Sequence, residues 1–117
     1  QEQPRVQYVL YPGLENHPGY EINKAQTTGF GGMISFAVDS AETARQIFEG
    51  VKLIKFAESL GSTESLITYP IRQTHTDLTA EECAEKGITD CLLRFSTGIE
   101  ATQDLIDDLA QSFAAIE

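Results

Sequence analysis

Residues 91–96 read CLLRFS, and the fold turns on how that hexapeptide is laid out. As a strand, its period of two puts Cys91, Leu93 and Phe95 on one face and Leu92, Arg94 and Ser96 on the other. The first set suits a core, so Arg94 is expected to point away from the layer of helices. An arginine in the centre of a strand costs burial energy unless an anion meets its planar fork of donors. Two anions qualify: a nearby carboxylate of the chain in a salt bridge, or the carboxylate of a ligand gripped in bidentate fashion.

The segments on either side alternate in type. Ahead of CLLRFS, Thr79 and Glu82 have the spacing of a capping box for a short helix that Gly87 closes, with Lys86 suited to its negative end. Behind it, 102–116 reads as an amphipathic helix carrying Leu105, Leu109, Phe113 and Ile116 on one stripe. Short strands are expected at 52–55 and 65–69. Ser40 caps a helix whose Ala41, Ala44, Ile47, Phe48 and Val51 keep a helical stripe, and Gly50 marks its end. Ile34, Phe36 and Val38 share one face of a strand released by Gly31-Gly32. Residues 18–28 read as a helix with Ile22 and Ala25 on one face, and 5–10 as a strand stopped by Pro12-Gly13. The expected architecture is a small α/β sandwich, a mostly antiparallel or mixed sheet of four to five strands with helices on one face.

Bulk properties narrow the function. The 117 residues fit one domain, and 41% hydrophobic content is enough for a modest core. Eighteen acidic residues stand against four lysines and four arginines, a net charge of −10, with an isoelectric point near 4.5. With no basic run, nucleic acid and anionic membrane surfaces are poor partners. Cys83 and Cys91 form no C-x-x-C and read as free thiols; His17 and His75 have no metal-ligand spacing, so no metal site is expected. No apolar run reaches the length of a membrane helix and no signal peptide opens the chain, which gives a soluble, cytoplasmic expectation. The start at Gln1, without methionine, reads as that of a processed or excised piece.

One polar stretch stands out. Residues 56–66, FAESLGSTESL, place two glutamates, three serines and a glycine between apolar segments. This is either a turn whose side chains satisfy their own backbone or a cradle for a small polar ligand, with Glu58 and Ser59 just ahead of Gly61.

In order and spacing, YPGLENHPGYEINKAQ (11–26), GFGGMISF (29–36), KFAESLGSTESLITYP (55–70), QTH (73–75) and GITDCLLRFSTGIEATQDLIDDL (87–109) resemble the C-terminal domain of the Cys/Met-metabolism, or trans-sulfuration, pyridoxal-phosphate enzymes. The resemblance covers nearly the whole chain. It implies the C-terminal small-domain fold of fold-type I transferases, and it gives Arg94 the substrate α-carboxylate, with Ser59 as its partner. Glu58 resembles the residue that faces the distal part of the substrate in cystathionine γ-synthases and γ-lyases, where methionine γ-lyases and sulfhydrylases tend to carry valine. Enterobacterial β-lyases tend to have tyrosine-serine-tryptophan there, and this chain has no tryptophan. Tyr20 departs from the histidine of many relatives.

In that family a lysine in an S-x-T-K context holds the cofactor covalently and a separate large domain binds its phosphate. Lys24, Lys52, Lys55 and Lys86 stand in no such context. The resemblance therefore implies that residues 1–117 are the small domain alone. It would have no catalytic or cofactor-binding residue of its own, an amino-acid substrate and the large domain as partners, and a homotetrameric parent. At −10 the domain repels anions at long range, so a substrate carboxylate must be held by Arg94 at close quarters. Cystathionine γ-synthase activity in methionine synthesis is the leading expectation and a cystathionine γ- or β-lyase the alternative. A free-standing module that binds an amino acid without turning it over is the reading from another class.

Overall fold

The computed structural model describes residues 1–73 and 77–116; the QTH motif's His75 lies outside them. Five strands run in chain order as β1 (Val6–Leu10), β2 (Met33–Val38), β3 (Lys55–Phe56), β4 (Leu66–Thr68) and β5 (Leu92–Ser96). Five helices intervene or follow: α1 (Tyr20–Gln26), α2 (Ala41–Gly50), α3 (Pro70–Gln73), α4 (Ala80–Glu85) and α5 (Thr102–Ala114). The sheet order is β1-β2-β5-β4-β3. Only the β3–β4 pairing is parallel, so the sheet is mixed, and CLLRFS is its centre strand.

The alternation in β5 holds for Leu93 and Phe95, whereas Cys91, expected on the same face, precedes the strand, is only half-buried and stays out of the core. Leu93 and Phe95 enter one core with Phe36 and Val38 of β2, Ile67 of β4, Ala44 and Ile47 of α2, and Leu105 of α5. Both long helices therefore cover a single face. Leu93 and Ile67 are fully buried, and truncating either to alanine would cost about 2–5 kcal/mol. At the start of α2 the Ser40 Oγ accepts the Thr43 N–H at 3.1 Å. The capping box of α4 is complete, with Thr79 N–H donating to Glu82 and Glu82 N–H donating to Thr79 Oγ1. Gly87 follows at φ +74, a conformation that glycine adopts without strain.

Three local expectations are corrected and one is extended. The strand expected at 52–55 starts only at Lys55. The N–H groups of Lys52, Leu53 and Ile54 all donate to the Asp108 carboxylate of α5, at 2.8, 2.9 and 2.9 Å, and so are lost to any ladder. Gly50 has another role besides ending α2. A side chain there would meet Ser112 Oγ at 2.7 Å, and that hydroxyl donates to Ile47 O. The helix at 18–28 is shorter, and no residue of α1 is buried; Ile22 is 62% exposed. What ties α1 down is the stack of Tyr20 on Phe30, with ring centroids 5.5 Å apart. Finally, the strand read to 69 stops at Thr68 because Pro70 starts α3, whose Gln73 side chain accepts the Tyr69 N–H.

Candidate functional site

Arg94 pairs with Ser35 of β2 on one side and Thr68 of β4 on the other, so it sits near the middle of the sheet. Its neighbours Leu93 and Phe95 point into the core, which sends the guanidinium to the face opposite α2 and α5. The rest of that face is less open than alternation alone suggests: Leu92 and Ser96 are both buried, at 7% and 2% exposure. For Ser96 the cover is the 57–61 segment, which folds back over Arg94 and Ser96.

That segment is fastened at each step. Ala57 N–H donates to Ile67 O, continuing the β3–β4 pairing, and Ala57 O accepts the Thr68 hydroxyl proton at 2.5 Å. Glu58 O accepts from Arg94 Nη2 at 2.8 Å. Gly61, at φ +73, turns the chain so that its N–H donates to Ser96 Oγ at 3.0 Å. Beyond it, the fully buried Ser65 gives its N–H and hydroxyl to the Glu100 carboxylate, and its Oγ accepts the Gly98 N–H. The Ser65 N–H and Glu100's own N–H hold the Glu100 carboxyl below its ordinary pKa. Thus AESLG is built against CLLRFS and the turn that follows it.

The three residues singled out from sequence come together, though unequally. Arg94 meets the main chain of Glu58; the side chains of Glu58 and Ser59 are exposed and make no hydrogen bond among the described residues. No carboxylate of the described residues forms an ion pair with Arg94, so the intramolecular salt bridge weighed above is not what the structure contains. Its Nη2 also lies 3.4 Å from Thr68 Oγ1, while Nε is buried with no partner. An unbonded buried donor costs about 1–3 kcal/mol, which an arriving acceptor offsets. Thr68, Ser65, Ser96 and Glu100 escaped the sequence reading. Their signal was available: hydroxyls at buried strand positions and a carboxylate just past S-T-G need partners.

Elsewhere the described residues hold no cluster of three or more His, Cys, Asp or Glu able to bind a metal. Cys83 and Cys91 form no disulfide among the described residues. Two surface grooves lie on the helix side, one beside Phe48, Phe56 and Arg72, the other between the N-terminal residues, β1 and α5; Arg94 lines neither.

The family model for Cys/Met metabolism PLP-dependent enzymes matches residues 1–114. The chain belongs to that family. Over 113 residues it is 49% identical to a cystathionine γ-lyase of Bacillus subtilis (strain 168), covering 97% of this chain and 30% of the relative. Among solved structures it superposes on cystathionine γ-lyase from Lactobacillus plantarum complexed with L-serine, with a TM-score of 0.92, 40% identity, and coverage of 98% of this chain and 30% of that one. A cystathionine γ-synthase from Xanthomonas oryzae pv. oryzae in complex with cystathionine matches with a TM-score of 0.90 and 42% identity, over 97% of this chain and 30% of that one. The chain thus spans about three tenths of the length of the relatives it matches. The family's α/β fold is the one found here.

The cofactor in the family's name does not fit the residues present. A lysine that holds it must be enclosed and partly desolvated to react, whereas Lys24, Lys52, Lys55 and Lys86 are all exposed. No helix among the described residues is long and apolar enough to cross a membrane.

Proposed function

We propose that this chain is the C-terminal, substrate-carboxylate-binding domain of a pyridoxal-phosphate enzyme that makes or breaks the Cγ–S bond of cystathionine. One observation carries the reading: a guanidinium at the centre of the sheet, on the face opposite α2 and α5, that among the described residues meets a backbone carbonyl and a threonine hydroxyl but no carboxylate, with Nε buried and unbonded there. Such a fork suits a planar carboxylate. Ser59 would donate its hydroxyl to the same carboxylate, and the exposed Glu58 side chain would face the far end of the substrate. Chemistry at the substrate's α-amino group belongs to the cofactor, which a large domain of the same protein would hold, within a homotetramer. What this chain contributes is orientation: a carboxylate fixed against Arg94 sets which bonds face the large domain.

Within this reading, γ-replacement on an activated homoserine by cysteine is the finer proposal; Glu58, which the resemblance gives to γ-synthases and γ-lyases alike, speaks against methionine γ-lysis and does not separate these two. A second reading, cystathionine γ-lysis, is favoured by the 49% identity to a γ-lyase. The test is an assay of the purified full-length protein with an O-acylhomoserine plus cysteine, and separately with cystathionine. Cystathionine formation supports the synthase and its cleavage to cysteine the lyase; neither product from either mixture overturns both.

A further inference from the structure

We infer that Thr68 is a positioning residue for Arg94, holding the guanidinium and the 57–58 backbone as one unit. The inference rests on the carboxylate-clamp reading above and extends it to a residue that touches no substrate. Thr68 is the direct cross-strand partner of Arg94 and is 1% exposed. Its single hydroxyl proton goes to Ala57 O at 2.5 Å, which leaves the oxygen's lone pairs facing Arg94 Nη2 at 3.4 Å. The next carbonyl along the chain, Glu58 O, takes a second hydrogen bond from the same Nη2 at 2.8 Å.

The consequence is geometric. A four-carbon side chain such as arginine's has many rotamers, and one carbonyl leaves the guanidinium free to pivot about that bond. Two acceptors on one nitrogen, themselves linked through Thr68 to adjacent peptides, fix the plane of the fork. They also occupy Nη2, so Nη1 remains to meet an incoming oxygen. The β-branch of Thr68 restricts its own χ1, so the hydroxyl is placed by the strand itself. A residue with this role affects substrate affinity through Arg94 without altering the reacting groups.

The experiment uses the full-length protein and its amino-acid substrate, with parent, Thr68→Val, Thr68→Ser and Arg94→Ala compared for KM, kcat and thermal midpoint. Thr68→Val keeps the volume and removes the hydroxyl; Thr68→Ser keeps the hydroxyl. The expected result is a KM raised about 5- to 20-fold in Thr68→Val with kcat changed less than threefold, KM restored to within threefold of the parent in Thr68→Ser, and a larger KM defect in Arg94→Ala. A normal KM in Thr68→Val beside a raised one in Arg94→Ala overturns the positioning role and leaves the clamp standing. A normal KM in Arg94→Ala overturns the clamp and the positioning role with it. Equal KM defects in Val and Ser variants also overturn the inference, since the hydroxyl then carries nothing. Should Thr68→Val fail to fold, Thr68→Ala gives the same comparison against Thr68→Ser.

Discussion

The carbonyl oxygen of Glu58 lies 2.8 Å from Nη2 of Arg94, joining the AESLG segment to the centre strand through main chain rather than through the Glu58 side chain. The side chains of Glu58 and Ser59 are thereby left outward beside a guanidinium without an ion-pair partner among the described residues.

Arg94→Ala in the full-length protein should raise the KM for the amino-acid substrate. Losing a charge-assisted pair with a desolvated carboxylate costs roughly 2–5 kcal/mol, at least about 30-fold in affinity. Steady-state kinetics check this, and a KM matching the parent's removes Arg94 from the carboxylate site.

Glu58→Val separates specificity from stability. Because the Glu58 side chain is exposed and unbonded among the described residues, the thermal midpoint should move little, by no more than about 0.5 kcal/mol of stability. Meanwhile kcat/KM for cystathionine or cysteine should fall more than that for methionine-like substrates. Equal losses on both substrate types would take Glu58 out of the specificity determinants.

Much of this was legible in the sequence because local rules and tertiary packing agree. The period of two in CLLRFS, the stripe of α2 and the capping box of α4 each have a local cause that the fold preserves. What was not legible came from contacts between distant segments. Nothing near Lys52 announces that its N–H, with those of Leu53 and Ile54, turns toward a carboxylate 54 to 56 residues on. The helix itself held a clue, since Asp108 lies three residues from Leu105 and four from Ser112, on the buried side. A carboxylate on that side needs donors. Likewise, alternation turned Arg94 away from the core but could not show that the 57–61 segment folds over Ser96.

Asp108 should govern part of the acid stability. Burial works against its charge, but the N–H groups of Ile54, Lys52 and Leu53 and the Gln111 side chain outweigh that and hold its carboxyl below the ordinary value. A carboxyl depressed in the folded state contributes stability that is fully present above the unfolded value, about pH 4, and is lost as pH falls through the folded one. Asp108→Asn should therefore destabilise at pH 7, by about 2–4 kcal/mol for poorly satisfied buried N–H groups. The gap to the parent should narrow below about pH 4. Denaturant melts of both proteins across pH 3–7 measure it, and a gap independent of pH would exclude charge as the cause.

Gly98→Ala should disrupt the support of the candidate site. A Cβ at Gly98 would collide with the Thr63 carbonyl and the Glu100 carboxylate, both committed to the turn that holds Ser65. Backbone cannot move aside as a flexible side chain can, so the cost should be about 1–3 kcal/mol. A thermal melt reports the loss, and a substrate KM raised in step with it would link the turn to the placement of AESLG. Gly29→Ala, where a Cβ has open space around it, is the control that should change neither.

The isolated chain should fold yet fail to hold the cofactor. Its core closes between sheet and helices, and Leu92 and Ser96 are buried within the chain itself, Ser96 beneath the Gly61 turn, so the face carrying Arg94 does not depend wholly on a second domain for cover. Its lysines offer no enclosed amine: Lys24 lies 5.6 Å from the centre of the Tyr20 ring at the surface, and Lys52, Lys55 and Lys86 are exposed as well. An exposed lysine has no surroundings that activate it and reacts slowly and without preference. Incubation with pyridoxal phosphate followed by borohydride and mass spectrometry should show substoichiometric labelling spread over several lysines, with neither cystathionine formation nor cleavage. One lysine labelled stoichiometrically, with turnover abolished by its substitution, would place the catalytic amine inside these 117 residues and overturn the domain assignment.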